Sequence, residues 1–352
     1  DGRHKARLVA DGSMTSVPLE GVYAGVVSIR GFRLCILLGE MNGLPAYATD
    51  VSSAYLMALT TEKVCILAGP EFGRLSGHLL VVYKALYGLR SSGKQFGDLL
   101  AGYLKDLGFK ASLSEPQIFM RESKGLYEYV ATYVDDLCII MREPLSLIKT
   151  LEGAPYDLKF KGTGPLKYHL GCGFEKGEDG ILQMNPLKYI QKMEQGFKLM
   201  FNEEMSGKFH SPLEPNDHPE LDTSELLEAD DIQKYQSIIG SLQWLITLGR
   251  FDIQTAVMTL SSFRALPRQG HLERAKRICR YVSKFRFFTI KFKPLAPDLS
   301  MFDNSKPNSW ESIYGEGKED LPQDAPPPLG KPVTLVHFFD ASLMHDVITG
   351  KA

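Results

Sequence analysis

Cysteine is scarce in this chain of 352 residues: Cys35, Cys65, Cys138, Cys172 and Cys279 are the five, each at least thirty positions from the next. No C-x-x-C pair occurs and no His stands at a ligand spacing beside any of them, which excludes a zinc ribbon or finger. An odd, scattered set also excludes a disulfide framework and reads as reduced thiols in an intracellular compartment. Long apolar runs are missing too, since stretches such as 137–141 are far too short to span a bilayer. The first ten residues hold neither a signal-peptide core nor an initiator Met, so the chain reads as cut from something longer. Excess charge of one sign is absent: 40 basic against 42 acidic side chains leave a formal net of −2. Taken alone, that balance speaks against a polyanionic partner. No internal repeat is visible, and 44% hydrophobic with 23% charged residues exclude a disordered or fibrous chain.

What is present suffices for a large core and two or three subdomains. The first half mixes short β-rich runs with helical periodicity, an α+β pattern. Residues 46–51 read as a strand ending in Asp50. Over 94–107 the apolar residues Phe96, Leu99, Leu100, Tyr103, Leu104 and Leu107 form a helical stripe, with Gly108 as its stop. Strand-like runs at 127–134 and 137–141 flank Asp135-Asp136, which predicts a hairpin with a two-residue acidic turn. A second helical region is expected over 235–266. Residues 294–332 contain eight prolines and mark a linker or an extended, poorly packed segment.

The near-zero net charge is a sum of opposed blocks. Residues 202–231 carry ten acidic side chains against Lys208, a local net of −9, and 264–293 carry ten basic ones against Glu273, a local net of +9. Within the basic block, 271–287 reads as an amphipathic helix. Leu272, Ala275, Ile278, Cys279, Val282 and Phe285 would face inward, while Arg277, Arg280 and Lys284 share an outer face. That face is either plainly solvated or a stripe that tracks the phosphates of a nucleic acid.

Chemical interest centres on carboxylates. Asp50 ends one strand and Asp135-Asp136 occupy the tip of the hairpin; if these strands are neighbours, three carboxylates converge at one end of a sheet. Such a cluster resists joint ionisation and needs a cation or a proton. Hard divalent ions meet that need, and Mg²⁺ takes further ligands from a substrate phosphate, which leads to in-line phosphoryl transfer. The competing reading makes Asp50 a turn cap and Asp-Asp an exposed hairpin tip, because Asp is a favoured turn residue.

At these positions the sequence resembles the reverse transcriptases of copia-type LTR retrotransposons. Lys5-Ala6-Arg7-Leu8-Val9-Ala10 is similar to the family's K-A-R-L-V-A segment, and Asp50-Val51-Ser52-Ser53-Ala54-Tyr55-Leu56 to its first catalytic motif. Leu86-Tyr87-Gly88-Leu89-Arg90 resembles L-Y-G-L-[KR], and Tyr133-Val134-Asp135-Asp136 resembles Y-V-D-D. Leu170-Gly171 with Phe174-Glu175 lies where the family has L-G-I-E-I. Gly240-Ser241-Leu242 with Arg250 and Asp252 is similar to G-S-L…T-R-P-D-I, and His271 with Ala275, Lys276, Arg277 and Tyr281 to H…A-K-R…R-Y. The resemblance runs over nearly the whole chain, with its motifs in order.

The resemblance implies an α+β right-hand polymerase. It places partial fingers over 1–26, palm with the first catalytic Asp over 27–57, fingers over 58–91, and palm with the hairpin and primer grip over 92–180. A thumb would follow over 181–232, a connection-like region with a Pro-rich linker over 233–332, and the truncated start of an RNase H domain over 333–352. Asp50, Asp135 and Asp136 would be catalytic, two Mg²⁺ (or Mn²⁺) being held by Asp50, Asp135 and the Val51 carbonyl. Lys5 and Arg7 would clamp the triphosphate, Tyr55 would exclude a 2′-hydroxyl, and Tyr87 and Gly88 would line the nucleotide pocket. Gly171 would sit near the primer grip, and Asp340 would be the first RNase H ligand, with no RNase H activity expected. Implied partners are an RNA or DNA template with its primer strand, dNTPs and other Gag-Pol segments, with no membrane and no stable small-molecule cofactor. The implied location is a cytoplasmic virus-like particle with nuclear entry. Two departures stand out: Ser91-Ser92-Gly93-Lys94 replaces Q-A-P-R, and Phe251 replaces the Pro of R-P-D. The alternative function is a catalytically inactive or domesticated nucleic-acid-binding fragment that keeps the polymerase fold.

Overall fold

Residues 7–18, 21–296, 298, 300, 311–315, 322–333, 336 and 348 are described by the computed structural model. Lys5 and Asp340 lie outside the described residues, as does most of 333–352.

The alternating strands of the first half build one antiparallel sheet: β1 (Ala46–Val51), β4 (Lys110–Ala111), β5 (Ile118–Ser123), β6 (Leu126–Tyr133), β7 (Asp136–Ile140) and β8 (Phe160–Pro165), in the order β4-β5-β6-β7-β1-β8. A small separate ladder pairs β2 (Cys65–Leu67) with β3 (Leu79–Val81). The period of two sends Tyr129, Ala131, Cys138 and Ile140 to one face, where they pack on Phe32 and Ile36 of α1 (Ile29–Met41). Val130, Leu137 and Ile139 go to the other face, against Phe96, Leu100 and Leu104 of α2 (Ser92–Asp106) and Leu147, Ile148 and Leu151 of α3 (Pro144–Glu152). Being covered on both sides explains why β6 and β7 read as nearly unbroken apolar runs. The expected strand 46–51 and the helix stopped by Gly108 are both observed.

The hairpin differs from expectation by one residue. Tyr133 pairs with Asp136, so the turn is Val134-Asp135 and Asp136 is the first residue of β7. The ladder hydrogen bonds claim Asp136, and Val134 takes the left-handed conformation (φ 56°) in its place.

A second sheet, β12-β11-β10-β9, is made of β9 (Tyr168–His169), β10 (Cys172–Lys176), β11 (Leu182–Asn185) and β12 (Ile290–Phe292). A helical body follows: α4 (Leu187–Phe201), α5 (Ala229–Thr247), α6 (Gln254–Ser261) and α7 (Gln269–Lys284) enclose a core of Ile190, Phe197, Ile239, Leu242, Val257 and Ile278. The single helical region expected over 235–266 is therefore two helices, starting earlier at Ala229 and broken at 248–253. At that break Arg250 turns inward and pairs with Asp252. The last turn of α5 joins the two bodies, Leu245 lying in the helical core and Leu248 in the core of the sheets.

The helix expected over 271–287 is α7, ending at Lys284 with Phe285 as its 38% exposed C-cap rather than an inward residue. Most of its basic outer face is covered. The acidic block folds over it: Arg274 pairs with Asp217 and Asp222, Lys276 and Arg280 pair with Glu203, and Arg277 pairs with Glu214. Lys284 Nζ donates to the Lys208 carbonyl at 3.3 Å. The side chains of Arg277 and Arg280 are only 14% and 22% exposed, whereas Lys284 is exposed, so of the three residues of the expected stripe two are engaged by acidic partners. The physical reason is direct: the two blocks that cancel in the sum also meet in space.

Over 322–333 the Pro-rich segment is tied to β6 and to the end of α1, with Tyr127 Oη donating to the Pro327 carbonyl at 2.8 Å and the Lys331 amide donating to Asn42 Oδ1 at 3.0 Å. Among the described residues no helix is long and apolar enough to cross a membrane. All five cysteines are free.

Candidate active site

β1 lies between β7 and β8, and this arrangement decides which side chains meet Asp50. On one flank Asp50 is paired in register with Asp136, and on the other with Lys161. The hairpin tip is fixed to β1 by the Val51 amide, which donates to the Asp135 carbonyl at 2.8 Å. Val134, a β-branched residue at positive φ, is disfavoured there by about 1–3 kcal/mol, a strain that packed surroundings must hold. The effect is to set Asp135 at the apex beside Asp50 and Asp136. The sheet thus brings the three expected carboxylates to one end.

Burial, reinforced by Asp135 and then Asp50, pushes the Asp136 carboxyl above its usual range, while Lys161 pulls the other way. An unfolded chain gives up this proton more readily than the folded one, so stability falls as pH rises from the ordinary Asp value through the raised one. Asp136→Asn is therefore expected to melt at a higher temperature than the parent at neutral pH in chelator, the gap closing at about pH 3. Melting curves at the two pH values check this.

Beside the carboxylates opens a cavity of about 390 Å³, lined by Arg7, Ser52, Ser53, Tyr87, Asp135 and Lys161 among others. Tyr55 stands on a 3₁₀ turn (Ala54–Met57) directly after β1, its ring 4.8 Å from that of Tyr87. Burial, then Asp135 and Tyr87, raise its hydroxyl above the ordinary tyrosine range. The Arg7 guanidinium lies 5.1 Å from the Tyr87 ring centre, within cation–π range.

Gly88 holds this wall together. The Ala10 amide donates to the Tyr87 carbonyl at 2.7 Å, and Arg90 Nε donates to the Gly12 carbonyl at 2.6 Å. Gly88 has φ +91°, and a Cβ there would stand 1.9 Å from the Ala10 carbonyl oxygen. Gly88→Ala must then push away the segment that carries Arg7. Unfolding of the Ala10–Tyr87 contact is expected with little change in the far-UV spectrum, and faster hydrogen exchange of the Ala10 amide reads it.

Gly171 is elsewhere. With Leu170 it forms the two-residue turn between β9 and β10, both at positive φ (48° and 84°), packed toward Leu248 rather than lining the cavity. The departing segment Ser91-Ser92 is structural: Glu62 Oε1 accepts from the Ser91 amide and hydroxyl at 2.8 and 2.6 Å, and Ser92 Oγ donates to the Leu86 carbonyl. The carboxylate of Glu62 thereby caps the start of α2.

Lys161 escaped the sequence reading. Its Nζ lies 2.7 Å from Asp50 Oδ1, and the Asp50 contact holds its ammonium above the usual lysine range. The signal was weak, because β8 reads Phe-Lys-Gly-Thr-Gly-Pro, a composition that suggests a turn.

Among the described residues no group of three His, Cys, Asp or Glu side chains is placed so that it could hold a metal ion. The expected ligands Asp50, Asp135 and the Val51 carbonyl number two carboxylates and a backbone oxygen, an all-oxygen chemistry that fits Mg²⁺ completed by phosphate and water. The ammonium of Lys161 against Asp50 marks the place as one that favours a cation.

Residues 1–207 match the family model described as reverse transcriptase (RNA-dependent DNA polymerase). The chain is 28% identical over 285 residues to the retrovirus-related Pol polyprotein from transposon RE1 of Arabidopsis thaliana, covering 80% of this chain and 19% of that protein. It is 28% identical over 251 residues to a transposon Ty5-1 protein of Saccharomyces cerevisiae, covering 69% and 78%. To the Pol polyprotein from transposon TNT 1-94 of Nicotiana tabacum it is 26% identical over 289 residues, covering 80% and 22%. The chain spans about a fifth of the length of the Arabidopsis and tobacco polyproteins it matches.

Proposed function

The chain belongs to the reverse transcriptase (RNA-dependent DNA polymerase) family, and from that premise we propose that it is the polymerase core of a copia-type retrotransposon Pol polyprotein, adding dNTPs to a primer 3′-OH on an RNA or DNA template. The observation that carries this reading is the register at the end of β1. Asp50 lies opposite Asp136, and the Val51–Asp135 hydrogen bond sets the third carboxylate beside them, at the mouth of a cavity that Arg7 lines.

In this reading the six-stranded sheet with α1 to α3 is the palm, the β2–β3 ladder belongs to the fingers, and α4 to α7 form the thumb and connection-like region. Two Mg²⁺ held by Asp50, Asp135 and the Val51 carbonyl would supply the charge that activates the primer oxygen and steadies the leaving one. The protein's own contribution is placement. Arg7 offsets charge on the triphosphate, Tyr55 and Tyr87 form the wall on which the sugar rests, and the bulk of Tyr55 selects against a 2′-hydroxyl. Gly88 lets the segment bearing Arg7 close on that wall, and Gly171, in the turn between β9 and β10, would sit near the primer grip. Other Gag-Pol segments are the partners, in a cytoplasmic virus-like particle from which the product reaches the nucleus.

Template-directed extension of a DNA primer on RNA, with Mg²⁺ and all four dNTPs, tests the reading. Extension is expected. Binding of duplex with no extension at any Mg²⁺ or Mn²⁺ concentration would favour the non-catalytic, nucleic-acid-binding alternative.

A further inference from the structure

We propose that Lys161 is a resident counter-cation of the carboxylate cluster, which a divalent ion must displace from Asp50 and which therefore sets the metal affinity of the site. The inference rests on the polymerase reading and deepens it by adding a residue that controls metal entry. Three carboxylates held together at a strand end repel one another, and the fold answers from the opposite flank. β8 brings Lys161 across from Asp50, and the β1–β8 ladder shifts register between Ala48 and Asp50, the kind of irregularity that re-aims a side chain. The result is the 2.7 Å contact of Nζ with Asp50 Oδ1.

Arg7, the other cation lining the cavity, lies over the Tyr87 ring and leaves this role to Lys161. The pair is reversible because the lysine side chain is 54% exposed, and ion pairs that open to water are weak. A divalent ion also gains from several oxygens at once, which one ammonium cannot match. Metal entry therefore exchanges one cation for another rather than filling empty space between bare carboxylates. The displaced side chain stays at the rim of the cavity it already lines.

Calorimetric titration of the full chain with Mn²⁺, without nucleotide or nucleic acid, tests the exchange, with metal-induced shifts in Tm as a second readout. Lys161→Met is expected to bind Mn²⁺ about fivefold more tightly than the parent and to gain more in Tm on adding metal. Lys161→Arg, which keeps the charge, should behave as the parent, and Lys161→Gln as Lys161→Met. Asp135→Asn should bind weakly. Equal affinity in the parent, Lys161→Met and Lys161→Gln, with Asp135→Asn still weak, would overturn the counter-cation and leave the polymerase reading intact. Affinity untouched by Asp135→Asn would sink the metal site itself, and this inference with it.

Discussion

Replacing Asp135 with Asn is expected to lower primer extension by about 10³-fold while leaving the metal-free melting temperature no lower than the parent's. The two halves of this expectation have separate causes. The Asp135 carbonyl, which accepts from the Val51 amide, belongs to the backbone and survives the substitution, so the turn keeps its shape. What disappears is one negative charge at the apex, and no neighbour can stand in for it. Asp136 is committed to β7 and faces Asp50 across the ladder, and its own carboxyl already resists ionisation. Losing a like charge also relieves Asp136, which is why stability should hold. Extension within tenfold of the parent, measured under single-turnover conditions with saturating Mg²⁺, would remove Asp135 from the site.

The largest loss of stability is expected from Asp252→Ala. Arg250 has no exposed side-chain surface, and its guanidinium is held by Asp252 through Nε–Oδ1 at 2.9 Å and Nη2–Oδ2 at 2.7 Å. The rings of Tyr281 and Phe288 flank it at 5.9 and 5.5 Å. Deleting the carboxylate strands a buried cation, a change that costs about 3–5 kcal/mol. Urea unfolding should show the drop. The double variant Arg250→Met with Asp252→Asn should recover much of it, because the cost lies in the unpaired charge rather than in lost packing. A change below about 1 kcal/mol in Asp252→Ala would mean that the guanidinium finds another partner or reaches water.

Arg250 and Asp252 mark the reach of local sequence. Their spacing is visible within a motif, but a spacing does not say that the pair is buried where a long helical pattern breaks. The same division holds elsewhere. Local periodicity revealed β1, α2 and its stop at Gly108, because these depend on residues close in sequence. The carboxylates were legible as residue types, and their convergence only as a condition on which strands are neighbours. The hairpin turn lies one residue from the expected place, since a β-branched Val at positive φ runs against turn statistics and the pairing of Tyr133 with Asp136 demands it. Lys161 was invisible, as its role arises from a register set 111 positions away from Asp50. The acidic cover over Arg274, Arg277 and Arg280 is not legible in charge counts, which record sign and place in the chain, not which blocks close on each other.

The dual membership of the last turn of α5 has a mechanical consequence. Leu245 is locked in one core and Leu248 in the other, Arg33 Nη2 grips the Thr247 carbonyl at 2.6 Å, and the chain then turns at Gly249 with φ +115°. Tyr235, Ile238, Ile239 and Leu242 lock α5 to α4, α6 and α7 along its length of about 28 Å, so the four helices must move as one body. Rocking that body by about 7° about this pivot would sweep the Ala229 end through about 3.4 Å, the length of one base-pair step.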